Sequence, residues 1–478
     1  MLFNSLQYLI FFPTVFFLYW FIAKNNRKQQ NILLLLSSYF FYGLWDWRFL
    51  FLLIFSTFLD YYTGLKIKEA PSKGVKKTWM LISVLINLGF LGFFKYYNFF
   101  IDSFAALLTN FGFTPHFSTL QIILPVGISF YTFHGLSYVF DIYYKDAQPT
   151  KNWIDYSVFV SFFPLLVAGP IERASHLLPQ IEKEREFSSN KATDGLKQIL
   201  WGLFKKVVVA DTCAEYVNII FNDYSHQSGS TLLIGAVLFS FQIYGDFSGY
   251  SDIALGSARL LGFELLKNFS YPYFSRDIAE FWRRWHISLS SWFRDYVYIP
   301  LGGSKKGKTW AIFNTFIIFT LSGFWHGANW TFVIWGLLNA IYFLPLLITE
   351  KNRRNIEIVG TNKNHLSLQE IIQITFTFFL VTLAWIFFRS ETISQSLEII
   401  QTIFSSSLLK SPENFYETAF IYIIILLIIE WMGRKDHYGI QTFLQRKKRI
   451  YRWLFYYTLI VLILINNSEG QQFIYFQF

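Results

Sequence analysis

The chain has 478 residues, 53% of them hydrophobic and only 15% charged, with 21% Phe, Tyr and Trp and a net charge of +10. An ordinary soluble domain carries about 25% charged residues, so water as the main solvent of this surface is excluded. A disordered, collagen-like or disulfide-stapled chain is excluded too, because apolar content is high and Cys213 is the single cysteine.

A helix that crosses a bilayer needs about 20 mostly apolar residues. In chain order such stretches fall near 1–23, 31–45, 49–65, 79–98, 120–143, 207–222, 230–250, 311–325, 328–349, 368–388, 415–433 and 451–467. Two more, near 153–170 and 394–409, are shorter or broken and read as re-entrant or interfacial pieces. The first is split by Pro164 and ends in Gly169-Pro170, which a straight helix would not choose. The expected fold is all-α: a single polytopic membrane domain over residues 1–478 with about ten to twelve transmembrane helices. A removable signal peptide is not expected, since no basic n-region or small-residue cleavage site precedes Lys24.

Charge placement orients the chain. Segments 24–30, 66–77, 264–310, 350–365 and 434–452 hold 27 of the 41 Lys and Arg residues but only 8 acids. The alternate connections hold three basic residues, Arg48, Arg389 and Lys410. By the positive-inside rule the first set is cytoplasmic and both termini face outward. The net positive charge is mostly this topological signal, so nucleic acid is not an expected partner. No internal repeat or second soluble domain is visible, which argues against an inverted-repeat transporter.

Residues 264–310 form the longest stretch that does not read as spanning. Asp277 and Glu280 have capping-box spacing, so a helix is expected to start there. Trp282, Trp285, His286, Leu289 and Phe293 then fall on one apolar face, with Arg284, Ser288, Ser291 and Asp295 on another. That pattern predicts an amphipathic helix lying against the membrane or the protein core and ended by Pro300. Gly302, Gly307, Lys308 and Thr309 match the P-loop pattern letter by letter, but no strand precedes them and an apolar helix follows. They read as a solvated, inside-positive turn.

His326 falls next, in Leu321-Ser-Gly-Phe-Trp-His-Gly-Ala-Asn-Trp330, at a glycine-flanked break between two apolar helices. An ionisable residue at membrane depth is a functional-site candidate. A neutral imidazole there can act as a general base, or can simply bond a carbonyl at the break. Gly323 and Gly327 permit close approach of another chain or a ligand. His286, taken alone, reads as a satisfied core or interface histidine; beside His326 it could orient or polarise a substrate carbonyl. There is no G-x-S-x-G elbow, the eight histidines show no H-x-x-x-H spacing, and no cysteine pair exists, so neither a serine-elbow hydrolase nor a metal site is expected. Cys213 reads as an ordinary buried thiol.

The motifs together resemble the membrane-bound O-acyltransferase family, of the bacterial alginate O-acetyltransferase type. They are Phe163-Pro-Leu-Leu-Val-Ala-Gly-Pro-Ile-Glu-Arg173, Tyr244-Gly-Asp-Phe-Ser-Gly-Tyr-Ser-Asp252, Phe281-Trp-Arg-Arg-Trp-His-Ile-Ser-Leu289, Arg294-Asp-Tyr-Val-Tyr-Ile-Pro-Leu-Gly-Gly303, Trp325-His-Gly327 and the ending Phe473-Ile-Tyr-Phe-Gln-Phe478. The resemblance implies a ring of helices around a thinned, funnel-shaped centre. Its essential histidine falls on His326 and a second polar family position on His286. Trp325, Trp285, Arg284, Arg294, Asp246, Tyr250 and Asp252 are candidate substrate-binding residues by the same carry-over, with packing carboxylates and membrane-anchoring arginines as the competing reading.

The implied reaction is acetyl transfer in a bacterial cytoplasmic (inner) membrane. It needs no bound cofactor, and the donor is acetyl-CoA or an acylated carrier protein on the cytoplasmic side. The acceptor is an exported polysaccharide, with a periplasmic SGNH-like acetyltransferase partner. The alternatives are D-alanyl transfer to teichoic acids by the same fold and a transporter without chemistry.

Overall fold

The computed structural model describes residues 1–24, 26–114, 119–145, 147–167, 169–360, 366–412, 414, 416–466, 471, 473 and 474. Residues 475–478 of the C-terminal motif and Ala168 of the Phe163–Arg173 motif lie outside the described residues. Among the described residues every regular element is helical, so the all-α expectation holds. Contacts divide the chain into two compact units, Met1–Ser189 with Leu260–Leu265, and Asn190–Arg259 with Leu266–Phe478.

The first unit contains α1 (Leu6–Phe17), α2 (Arg27–Asp46), α3 (Leu50–Glu69), α4 (Lys73–Leu91), α5 (Tyr97–Asn110), α6 (Ile128–Lys145), α7 (Trp153–Ser161), α8 (Phe163–Leu166) and α9 (Ala174–Ile181). Helices α3, α4 and α6 pack together around a polar centre. There the buried Asp60 carboxylate accepts from Ser83 Oγ at 2.6 Å and from Asn87 Nδ2 at 2.8 Å. Gly135 lets α6 come this close, since a Cβ there would stand 1.8 Å from Asp60 Oδ2. The break expected near Pro164 is real: α7 stops at Ser161, Phe162 leaves the helical conformation at φ −52° and ψ 111°, and the proline sits in the first turn of the short α8, where its missing N–H costs nothing.

The second unit runs from α10 (Ser189–Leu203) through a wide π turn into α11 (Asp211–Asn222) and the long α12 (Gly229–Leu260). Then come α13 (Ile278–Arg284), α14 (Ile287–Phe293), α15 (Lys308–His326), α16 (Trp330–Ile348), α17 (Leu368–Arg389), α18 (Ile393–Ile403), α19 (Glu417–Met432) and α20 (Arg449–Ile465). The amphipathic α18 accounts for the expected broken segment near 394–409.

Both units are built inside out relative to a soluble protein. Helix α1 exposes Leu6, Leu9 and Ile10, and α20 exposes Ile450, Leu454 and Leu464, while Asp60, Lys205, Lys206, Asp246 and Glu430 are buried. Apolar exposure on this scale belongs against hydrocarbon. Among the described residues five helical runs are long and apolar enough to cross a bilayer: Arg27–Glu69, Lys73–Asn110, Gly229–Leu260, Trp330–Ile348 and Leu368–Arg389. That is fewer than the apolar stretches of the sequence. The stretches at 207–222, 415–433 and 451–467 form helices of only 12, 16 and 17 residues. Most of the residues of α11 and of the turn before it are buried, so their apolarity serves the interior and not lipid.

Candidate active site

The sequence pattern predicts one continuous helix that starts at Asp277 and is ended by Pro300. The structure has two. Asp277 does cap the first, its Oδ1 accepting from Glu280 N at 2.7 Å. The helix then stops at Arg284, Trp285 is extended, and His286 adopts the left-handed conformation at φ 43° before α14 begins. The reason is a competing partner that sequence periodicity does not show. Residues 268–270 run alongside, with Ile287 N donating to Asn268 O and Ser270 N to Arg284 O, each at 2.9 Å. These bonds replace helical ones across the kink. Left-handed backbone in a residue other than glycine costs on the order of 1–3 kcal/mol and collects at functional sites.

The second histidine is delivered by α15, whose last residue is His326. Gly323 and Gly327 were expected to admit a second chain or a ligand. What they admit is α16. A Cβ on Gly323 would lie 2.2 Å from the Phe332 carbonyl oxygen, and one on Gly327 would lie 2.1 Å from the Phe332 ring. Helices α15 and α16 therefore form a tight antiparallel pair, and the histidine sits where that pair turns.

The two imidazoles meet inside the second unit, with ring centroids 6.5 Å apart and both rings buried. Trp325 lies against both, at 4.9 Å from His326 and 5.9 Å from His286. Trp335 and Phe388 close the far side of His326, and Phe247 stands edge-on to His286 at 4.7 Å. Trp285 is one layer out, its ring tilted against Trp385 at 5.1 Å, and Trp385 stacks on Trp335. The ring neighbours of the pair are all uncharged. Burial pushes the His286 imidazolium down to a pKa of about 3, so this ring is neutral throughout the physiological range.

His286 Nδ1 faces Asn268 Oδ1 at 3.0 Å. The same oxygen accepts from Ser288 Oγ at 2.9 Å and faces the Ser288 backbone N–H at 3.4 Å. Its amide Nδ2 and the His286 Nε2 have no hydrogen-bond partner among the described residues. Asn268 also walls a small cavity shared with Lys205, Tyr244, Asp252, Lys267 and Glu430, whose free space is about 20 Å³, room for a water and not for a substrate.

The remaining sequence candidates lie in other settings. Arg284 is buried and bound to Glu280 at 2.7 Å, and its guanidinium also reaches the carbonyls of Ser270 and Glu357. Asp246 accepts from Lys206 at 2.7 Å and from Ile474 N at 2.7 Å, and the Tyr250 ring lies tilted against Phe473 at 4.2 Å. Asp252 is paired with Lys205 at 2.6 Å and bound by Gln198. Arg294 is exposed beside Asp295. It lines a groove of about 540 Å³ whose rim carries Arg294, Lys308, Arg353 and Glu350 and whose floor is Ile318, Phe319, Phe343 and Leu347. Sequence reading missed Asn268, Trp335, Phe388 and Phe247. Asn268, Trp335 and Phe388 stand in no motif and Phe247 lies unremarked inside the Tyr244–Asp252 motif; each is brought to the histidines only by tertiary packing.

Known proteins identify the architecture. Residues 148–388 match the membrane-bound O-acyltransferase (MBOAT) family. The chain is 38% identical over 404 residues to a probable alginate O-acetylase of Pseudomonas putida, covering 82% of this chain and 80% of that protein. It is 35% identical over 386 residues to a peptidoglycan O-acetyltransferase of Helicobacter pylori, covering 75% and 71%. Similarity to a teichoic acid D-alanyltransferase of Bacillus subtilis is lower, 28% over 289 residues, covering 58% and 71%. With a buried histidine pair, an inside-out surface and this breadth of similarity, the chain belongs to the membrane-bound O-acyltransferase family and is a multi-pass membrane O-acyltransferase.

Proposed function

We propose that the chain O-acetylates an exported polysaccharide, taking acetyl from a thioester on the cytoplasmic side of a bacterial inner membrane. The observation that carries this reading is the His286–His326 pair, two buried rings 6.5 Å apart among uncharged aromatic neighbours. In the reaction the acceptor hydroxyl oxygen attacks the thioester carbonyl carbon, forming the C–O bond. His326 takes the hydroxyl proton as that bond forms. Collapse of the tetrahedral intermediate breaks the C–S bond, and the same imidazole returns the proton to the departing sulfur. A positioned general base contributes roughly 10² to 10⁴ in rate.

The donor, acetyl-CoA or an acylated carrier protein, carries phosphate. The groove rimmed by Arg294, Lys308 and Arg353 suits an anionic group above an apolar floor. It lies in the basic 264–310 and 350–365 region that charge placement assigns to the cytoplasm, with both termini outside. A periplasmic acetyltransferase partner of SGNH type completes delivery to the polysaccharide. The decisive experiment is mass analysis of surface polysaccharide from cells with and without the gene, complemented by the native sequence or by His326→Ala. Acetyl esters that vanish without the gene and return only with native protein support the reading. D-alanyl esters in their place, or full acetylation restored by folded His326→Ala, would overturn it.

A further inference from the structure

We infer that Asn268 is a positioning residue that locks His286 in one tautomer, with the proton on Nδ1, so that His286 meets the reaction as a hydrogen-bond acceptor. The inference rests on the acyl-transfer reading above, and it reassigns the role expected for His286, that of polarising a carbonyl.

The argument starts from the Asn268 amide. Its oxygen must be the atom on the His286 side, because the Ser288 backbone N–H directed at the same atom can only donate. The Ser288 hydroxyl adds a second donor at 2.9 Å. An acceptor at Asn268 Oδ1 leaves His286 Nδ1 one role at 3.0 Å, to donate. A neutral imidazole carries one N–H, so Nε2 is left with its lone pair. The amide Nδ2 has no hydrogen-bond partner among the described residues in this orientation, and Asn268 forms part of the wall of the small cavity that has room for a water.

Backbone geometry holds the same arrangement. The carbonyl of Asn268 receives Ile287 N while its side chain receives His286, so one residue clamps both the kink and the ring. A tautomer set in this way is costly to reverse. Turning the ring or the amide would set two donors, or two acceptors, against each other in a buried site, at about 1–3 kcal/mol for each group left unsatisfied.

The consequence concerns charge. A ring with its only N–H turned toward Asn268 has none to offer an oxyanion. It can receive the N–H that His326 carries once it has taken the hydroxyl proton, directly or through one water, as the two rings stand 6.5 Å apart. His286 then supports the transient imidazolium, and the oxyanion falls to other N–H donors. Among the described residues no other side chain bonds Nε2. On the elements packed around His286, Arg284 is bound to Glu280, Asp246 to Lys206, and Lys267 reaches the Asp436 carbonyl.

The test reads the tautomer and the kinetics separately. Ring-¹⁵N histidine spectra of the native full-length protein in lipid, assigned by the signal lost in His286→Gln, should show a protonated Nδ1 and a bare Nε2 for His286. This readout needs no substrate, so it stands or falls independently of the acyl-transfer reading. In turnover, Asn268→Ala should lower kcat by about 10- to 100-fold with KM for the donor within about twofold. Asn268→Asp keeps the acceptor and should restore most of kcat at high pH. Its carboxylate favours protonated His286, so activity should fall off at higher pH than in the native enzyme. A native spectrum with Nε2 protonated would sink the inference. So would equal losses in the Ala and Asp variants with no shift of the pH profile.

Discussion

Two buried polar regions of the second unit make opposite use of the same interior. In the π turn before α11, Lys205 and Lys206 sit within 2.6 to 2.8 Å of Asp252 and Asp246 of α12 and Asp211 of α11, and almost every charge has its counter-charge. The ring neighbours of the two histidines are uncharged, and His286 Nε2 there has no hydrogen-bond partner among the described residues. From sequence the charged region looks the more functional, because carboxylates in a membrane protein are rare and costly. The geometry reverses that ranking. A buried ion pair whose partners are all in place is already satisfied and has little left to offer a substrate. A neutral ring with a spare lone pair beside a second ring has chemistry still to do.

The comparison can be broken by substitution on either side. The largest effect is expected at His326: alanine should cut ester formation by roughly 10² to 10⁴, while the melting temperature in detergent stays near the native value. Asp246→Ala should do the reverse. It leaves Lys206 and the Ile474 N–H short of a partner and should cost about 3–5 kcal/mol of stability, read as lower folded yield, with near-native turnover in the protein that does fold. If Asp246→Ala instead abolished turnover in fully folded protein, the contrast between the two regions would be wrong.

Gly323→Ala tests the scaffold that carries His326. The new methyl meets the Phe332 carbonyl, so α15 and α16 must separate. A loss of about 1–3 kcal/mol is expected, with a fall in kcat larger than any change in KM. Arg294→Ala, at the rim of the basic groove, should raise KM for the donor a few-fold, with kcat unchanged and a weaker dependence on salt.

The smallest effect concerns acid stability. Burial lowers the His286 pKa to about 3 in the folded protein, so between there and the unfolded value near 6.5 the unfolded chain binds the extra proton. Stability contributed by this group is therefore present above about pH 6.5 and is lost as pH falls toward 3. Replacing His286 with Gln should flatten the fall of melting temperature across that window. An unchanged slope would remove His286 from the list of acid-sensitive groups.

Much of this was legible in the sequence, for stated physical reasons. Hydrophobic runs and basic clusters report solvent and side, and they gave the all-helical membrane class. His326 stood out because polar residues are scarce around it, and its place at a helix break is where the structure has it. The kink at His286 was not legible. Trp282, Trp285, His286 and Leu289 fit a continuous helix in spacing, and only the chain segment around Asn268 shows why the helix stops. The same applies to Gly323 and Gly327, whose flexibility can be read from sequence but whose neighbour cannot. Asp246 and Asp252 were visible as a pair of intramembrane acids, yet Lys205 and Lys206, which hold them, stand about forty residues earlier, just before the apolar stretch at 207–222, and spacing alone does not pair them.

The bond between Asp246 and Ile474 also has a place in time. The two residues are 228 positions apart, and Gln471 supplies its carbonyl to Lys206 from a similar distance. At synthesis rates of about 5–20 residues per second, on the order of 10–50 s separate the emergence of α12 from that of its last partner. During that interval a lysine and two aspartates already committed to a helix core must wait with one acceptor site open. Until residues 471 and 474 emerge, that half-finished interior lacks the backbone groups that complete it.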